Sequence, residues 1–458
     1  MVKIHNLLTM LRTFLCLTFL VLFAYTQTVA QLKVLWGEIS EEEISLSKCP
    51  FDSEAPAVVL HKIGYIGNSY GQLIISDYTR IKILKREGID MKGDVVISLY
   101  TKNEYENLLE LKAQTINVEE DGTIVKTEIK AHEIFSVEAE NNHLQKKFIF
   151  PNVRIGSILE YAFIKSTKNI YNLTDWYFQD DIPILHNELR LDMNADLSYQ
   201  ILYQGPRLMM KYGKEKAYYW TLKNIPAFKP EPFVTNQTDH IEKLKFQLAG
   251  YYNEPQYVGN NKFIKKFTDI SSKTESMVDY MLEDKDFDNF IGKGKKLKYI
   301  LDQLPHKSEN LLEQVKNIYN YVQKNYKWNG KYGLFPKKTF NEFLSAKNGS
   351  GTEINLLIIA LLKELNLEVY PCIISTKENG RINKDFMDIG AFNHTLGLIV
   401  LDGTDYFFDA TDPLRPFDLL TWKDLNGVGL VLDKKKFRWA DVKPPVNNTL
   451  TFYGNLNF

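Results

Sequence analysis

Two hydrophobic periods divide the chain. From about residue 55 to 225 apolar and polar positions alternate. Leu189, Leu191 and Met193 alternate with Arg190 and Asp192; Leu197, Tyr199, Ile201 and Tyr203 alternate with Ser198, Gln200 and Leu202; Leu159, Tyr161 and Phe163 share a face opposite Glu160. A period of two predicts half-buried antiparallel strands. Turn signals at Gly67-Asn68-Ser69, Glu120-Asp121-Gly122 and Gly205-Pro206 separate them, as in a β-sandwich-like domain. Residues 226–262 read as a connection, with Pro226, Pro230 and Pro232 close together. From 263 the period becomes 3.6. Phe263, Phe267 and Ile270 open a helix, and Leu297, Ile300, Leu301 and Leu304 mark another. Leu312, Val315, Ile318, Tyr319 and Val322 form a clear stripe, with Ser308 as N-cap and Glu309 in the first turn. Glu353 to Leu365 is apolar almost all round, as a buried helix is, and Asn366 follows where a left-handed cap residue is expected. Val369–Ser375, Thr395–Val400 and Asp405–Asp409 read as strands, the last two joined by the Asp402-Gly403 turn. A buried helix followed by an antiparallel sheet makes an α+β domain over 263–435. The tail, 436–458, is strand-like at Leu450 to Tyr453.

The start of the chain changes the picture of where it works. Lys3, His5 and Arg12 precede an apolar run from Phe14 to Tyr25, and no acid occurs before Glu38. The run is shorter than the ~20 residues of a membrane-spanning helix, and Thr28-Val29-Ala30 resembles a small-residue cleavage site. Residues 1–30 therefore read as a signal peptide and 31–54 as a lead segment. The expected product is exported and has no membrane span. Lys and Arg (56) balance Asp and Glu (57) in 458 residues, so no nucleic-acid partner is expected. Three Cys exclude a disulfide scaffold. Cys16 leaves with the signal; Cys49 and Cys372 could pair in an oxidising compartment.

The eight His are scattered without zinc-protease spacing, and no EF-hand or phosphate-binding loop occurs. No metal and no cofactor is expected. One ordered set of residues remains. Gly349-Ser350-Gly351-Thr352-Glu353 opens the buried helix, His394 precedes a strand, and Asp409 ends the next. Taken alone, a His at a strand start and an Asp in a turn are ordinary structural features, and Asp409 can bond turn amides.

The stretch from about 309 to 435 resembles the transglutaminase-like, papain-related superfamily, in which Gly-x-Cys begins a buried helix, a His starts a strand and an Asp ends the next one. The resemblance implies a Cys–His–Asp triad, with the helix terminus favouring the thiolate. His394 matches the His, Asp409 the Asp, and Glu353 a common acidic residue two after the nucleophile. The nucleophile position falls on Gly351, which has no side chain. Ser350 and Thr352 flank it, and a one-residue shift turns a side chain by about 100° on a helix. Cys372 reads as a buried structural thiol, and Trp328 as a core aromatic or a lining of the cleft. The first domain is similar to the uncharacterised β-rich domain that precedes transglutaminase-like domains in secreted proteins of Gram-negative bacteria. Arg80-Ile81-Lys82-Ile83-Leu84, Phe150 to Ser157, and Asp175-Trp176-Tyr177-Phe178-Gln179 carry that similarity. Trp176, Tyr177 and Phe178 read as packing residues, with a binding patch as the other reading. Members of that family often continue into a further C-terminal β-domain.

Together these imply an α+β multidomain protein of the periplasm or cell envelope. It is expected to be a non-catalytic pseudoenzyme binding peptide or cell-envelope components. The alternatives are an active cysteine-peptidase or transglutaminase-type enzyme with a non-standard nucleophile, and a structural module of an envelope assembly.

Overall fold

The computed structural model describes residues 36–443 except for short stretches such as 214–216, 258–262, 270–273 and 305–309. The chain forms two compact units. The first takes Met1–Pro230 with Ile241–Leu248 and Tyr252–Lys266; the second takes Glu231–His240, Ala249–Tyr251 and Phe267–Phe458. The protein is multidomain and β-rich.

In the first unit the alternating segments become strands β1 (Ala57–Ser69), β2 (Gln72–Ile83), β3 (Asp94–Tyr100), β4 (Glu106–Val118), β5 (Ile124–Glu128), β6 (Phe135–Ala139), β7 (His143–Ile149), β8 (Ile158–Thr167), β9 (Trp176–Tyr177), β10 (Ile184–Asp192), β11 (Leu197–Gln204), β12 (Tyr219–Ile225) and β13 (Lys243–Tyr252). A seven-stranded sheet in the order β12-β10-β1-β2-β8-β4-β5 dominates, beside a three-stranded sheet β3-β7-β6. One expectation fails here: β1 and β10 run parallel, with His61 opposite His186. A period of two reports which face is buried and is silent on the direction of the neighbour. The expected connection also contains β13, whose Leu244, Phe246 and Leu248 are buried in alternation with Lys245 and Gln247.

The lead segment packs on this sheet. Helix α1 (Glu41–Ser45) starts with a capping box, in which Glu43 N–H donates to the Ser40 hydroxyl and Ser40 N–H to the Glu43 carboxylate. Glu43 then accepts from Arg80 Nη1 at 2.9 and 3.0 Å. Arg80, 1% exposed, also donates through Nη2 to the buried Glu160 at 2.6 Å. Tyr78 Oη (2.6 Å), Gln114 Nε2 (2.5 Å) and the Gly37 amide (2.9 Å) complete the shell around Glu160. The Arg80 motif is thus a buried charge network. The aromatic motif is packing: Trp176 and Phe178 are buried, and the Trp176 indole donates to Asn187 Oδ1 at 2.9 Å. Only Tyr177 is exposed.

Glu43 makes this network pH-sensitive. Burial would raise its pKa, but hydrogen bonds from His61, the Ser40 amide and Arg80 prevail and hold it at about 2, against 4.5. The unfolded chain therefore binds a proton between pH 4.5 and 2 that the folded chain refuses. The contribution, on the order of 3 kcal/mol, is complete above pH 4.5 and is lost as the pH falls toward 2. Urea unfolding at pH 5 and pH 3 should show wild type losing more stability between them than Glu43→Gln; equal losses would refute this.

Short strands β14 (Gln256–Tyr257) and β15 (Phe263–Ile264) belong to the first unit, and β16 (Phe267–Asp269) opens the last segment of the second. Phe263 and Phe267 thus lie in strands rather than in the expected helix, and Ile270 lies outside the described residues. Three apolar residues at such spacing fit either element, and the β-prone Phe and Thr content decides for strand. After α2 (Arg86–Lys92) and α3 (Pro206–Tyr212) of the first unit, helices α4 (Thr274–Glu283), α5 (Lys285–Gly292), α6 (Lys298–Leu301), α7 (Leu311–Asn325), α8 (Phe340–Ala346) and α9 (Gly351–Glu364) follow in the second. The cap of α7 is Asn310, whose Oδ1 accepts from the Leu312 and Glu313 amides. Ser308 and Glu309 lie outside the described residues, and the first-turn acid is Glu313.

Helix α9 is the centre of this unit, with every residue from Gly351 to Leu362 buried. Each fully buried Leu or Ile on it contributes roughly 1.5–3 kcal/mol. Asn366 ends it at φ +57°, the left-handed position expected. The helix packs on a five-stranded sheet in the order β21-β20-β19-β22-β23, from β19 (Val369–Ile374), β20 (His394–Leu401), β21 (Thr404–Phe408), β22 (Gly427–Val431) and β23 (Arg438–Val442). Asp402 and Gly403 both take positive φ in the β20–β21 hairpin, as a tight right-twisted hairpin requires. Residues 450–453 lie outside the described residues. Among the described residues no helix is long and apolar enough to cross a membrane.

Candidate functional site

The site assembles where α9 begins. The short strands β17 (Lys327–Trp328) and β18 (Asn348–Gly349) pair in parallel, Trp328 opposite Gly349, and bring the 328–335 loop to the helix start. Ser350 is the N-cap: its hydroxyl accepts from Glu353 N–H, and its own N–H donates to Glu353 Oε2 at 2.7 Å. Glu353 Oε1 accepts from the Lys337 and Lys338 amides at 2.8 and 2.6 Å. Its buried carboxylate is thus saturated by backbone donors, which fastens the loop to the helix.

His394 starts β20 and stands over Gly351. A Cβ at position 351 would lie 2.5 Å from His394 Cε1 and 3.1 Å from Nδ1. A side chain therefore fits there only if the imidazole moves. His394 Nε2 shares a 3.3 Å hydrogen bond with Asp409 Oδ2, and both residues are buried. Asp409 also accepts from Thr411 Oγ1 at 2.8 Å and from Asn355 Nδ2 at 2.8 Å. Asn355 Nδ2 donates in addition to the Thr395 carbonyl, and its Oδ1 accepts from Ala410 N–H at 3.0 Å. Burial opposes charge on both partners of the His–Asp pair. Their mutual attraction and hydrogen bond prevail, raising the His394 pKa and lowering that of Asp409.

The structure thus brings Gly351, His394 and Asp409 together and leaves His394 Nδ1 buried without a hydrogen-bond partner. The flanking hydroxyls are engaged elsewhere, Ser350 in its cap and Thr352 in a bond to the Gly333 carbonyl. Cys372 is buried with its sulfur against Gly429, and burial pushes its thiol pKa up. Cys49 and Cys372 are both free, so the disulfide that the sequence allowed is absent. Trp328 packs against the core of the second unit, its ring 5.1 Å from that of Tyr332, which lies 4.5 Å from His394. Trp328 Nε1 (2.8 Å) and Gly351 N–H (3.1 Å) both donate to the Lys331 carbonyl oxygen. Two N–H groups converging on one oxygen at a helix start form a carbonyl-binding site, and here the chain's own backbone fills it.

Sequence reasoning missed Asn355, Tyr332 and Asp424. Asn355 had a signal: it is a lone amide in an apolar run, one turn after Gly351 and hence on its face. Asp424 had none, being placed by the loop before β22. Its carboxyl is buried; burial first, and the Asp409 charge second, push its pKa up to about 6.

Comparison with known proteins bears on the fold. Residues 71–229 match a family described as a domain of unknown function with a solved structure, DUF3857, and the motifs at 80–84, 150–157 and 175–179 fall within it. No curated protein matches the chain. A crystal structure named "a putative protease from Parabacteroides distasonis ATCC 8503" is similar over 85% of this chain and 72% of its own, at 14% identity and TM-score 0.54. One named "a putative cysteine protease from Cytophaga hutchinsonii" covers 84% of this chain and 94% of its own, at 9% identity and TM-score 0.22. At such identity the first likeness is one of fold, and the chain shares the fold of that structure over most of its length.

Proposed function

We propose that this chain is an exported, non-catalytic member of the transglutaminase-like group, a pseudoenzyme whose cleft binds peptide or cell-envelope components. The observation that carries the reading is Gly351 beneath His394. The His–Asp pair is held as a base and its orienting acid would be, yet its free nitrogen meets no thiol or hydroxyl. The filled carbonyl-binding site supports it, since the donors that could hold a reacting oxygen already hold Lys331. Binding of an extended chain is argued from fold-level likeness, and export from residues 1–30.

The test is labelling of the purified chain with a thiol-directed and a serine-directed activity probe. Both should leave it unlabelled, and buried Cys49 and Cys372 should stay inert. Labelling that disappears in His394→Ala would establish an active enzyme with a non-standard nucleophile and end the pseudoenzyme reading.

A further inference from the structure

The three-stranded sheet of the first unit ends in a strand that is open on both faces and along one edge. In the order β3-β7-β6, β6 pairs with β7 alone among the described strands. Its residues Phe135 to Glu138 are all exposed, and only Ala139 is half-buried. The inner face of the sheet is core, with Ile97, Leu99 and Phe148 buried. The outer face carries Val96 (47% exposed), Phe135 (60%), Val137 (43%) and Ile149 (70%). The register sets Phe135 and Val96 on either side of Lys147, and Val137 opposite Gln145, so these apolar side chains share that face.

A free edge beside an apolar face is a template for another strand, and proteins that leave such an edge unused shield it with charge, proline or a bulge. β6 reads Phe-Ser-Val-Glu-Ala and holds no proline. Its ladder with β7 runs without a register shift. Its single charge, Glu138, alternates with Phe135 and Val137 and therefore lies on the other face. On that face Lys146 Nζ of β7 donates to the Ser136 hydroxyl at 2.7 Å. Among the described residues neither Lys146 nor Glu138 is in an ion pair.

We propose that β6 is a dimerisation edge: two copies of this chain pair their β6 strands antiparallel about a two-fold axis at Val137, joining two three-stranded sheets into one of six. The strand is its own complement in that register. Val137 meets Val137, Phe135 meets the small Ala139, and Ser136 meets Glu138. Each Glu138 is thereby set beside the Ser136 that holds Lys146 of the other copy, so the unpaired charges form two ion pairs across the axis. The same charges exclude the neighbouring registers. Sliding one strand by one residue sets the apolar face of one copy beside the polar face of the other. Sliding it by two puts the axis at Ser136, which brings the two Lys146 ammonium groups together, or at Glu138, which opposes the two carboxylates. Such a two-fold pairing uses the same patch on both copies and closes the edge, so the assembly stops at two.

The experiment is sedimentation velocity of the purified chain over a micromolar concentration series. Wild type should sediment at twice the chain mass. Glu138→Lys and Lys146→Glu should each weaken the dimer, by about tenfold or more in dissociation constant. Glu138→Lys combined with Lys146→Glu should recover it, because the swap restores both ion pairs. Val137→Lys, which sets two ammonium groups on the axis, should leave single chains. Val137 and Glu138 are exposed, so their substitution leaves the core intact. Wild type that stays a single chain throughout the series overturns the proposal, as does a dimer unchanged in Val137→Lys. A double variant that associates no better than the two single variants overturns the register. The outcome is separate from probe labelling, because β6 and His394 lie in different units.

Discussion

Arg80→Ala lowers the stability of the first unit by about 3–5 kcal/mol, the cost of removing one partner from a buried ion cluster. Arg80 is the cation between Glu43 and the fully buried Glu160. Its loss leaves two carboxylates without the cation between them, one of them, Glu160, fully buried. Arg80→Lys should fall between, since an ammonium keeps the charge but cannot fork toward two carboxylates. Urea midpoints for the three proteins at pH 7 check the order. An Arg80→Ala midpoint within about 1 kcal/mol of wild type would mean that the network is not what ties the lead segment down.

Asn355→Ala strikes the second unit comparably, by about 3 kcal/mol or more. Its amide makes three buried hydrogen bonds, to Asp409, to the Thr395 carbonyl and from the Ala410 amide. Truncation removes all three in a buried site and leaves Asp409 Oδ1 only the 3.3 Å bond from the Thr411 amide; each buried orphan costs about 1–3 kcal/mol. Asn355→Asp should be worse, because it sets a second carboxylate against Asp409. Thermal melts of both variants give the ordering; an alanine variant as stable as wild type would show that the site tolerates an unsupported Asp409.

The helix of the second unit was legible in the sequence because burial all round leaves a mark no other element shares, and its Asn366 stop had a local cause. The first unit's strands were legible for their faces only. The parallel β1–β10 pair depends on where the chain returns, which no local window encodes. The lead segment had a readable signal, Ser40-Glu41-Glu42-Glu43, whose spacing is that of a capping box; its bond to Arg80 was not readable. The ordered set Gly351, His394 and Asp409 was visible through a family pattern. Asn355 was visible as a polar break in an apolar run, and Asp424 only once the loops had been folded together.

The Lys331 carbonyl, held by Trp328 and Gly351, has a consequence for the peptide binding proposed above. It acts as a tethered competitor. A partner confined by a few residues of chain presents itself at an effective concentration in the millimolar range or above. A peptide using the same two donors must therefore outbid an occupant that never diffuses away. On the proposed reading, weak and incidental backbones would be turned aside, and only a ligand with further contacts beyond that oxygen would gain entry; the site would filter its partners before its side chains touched them.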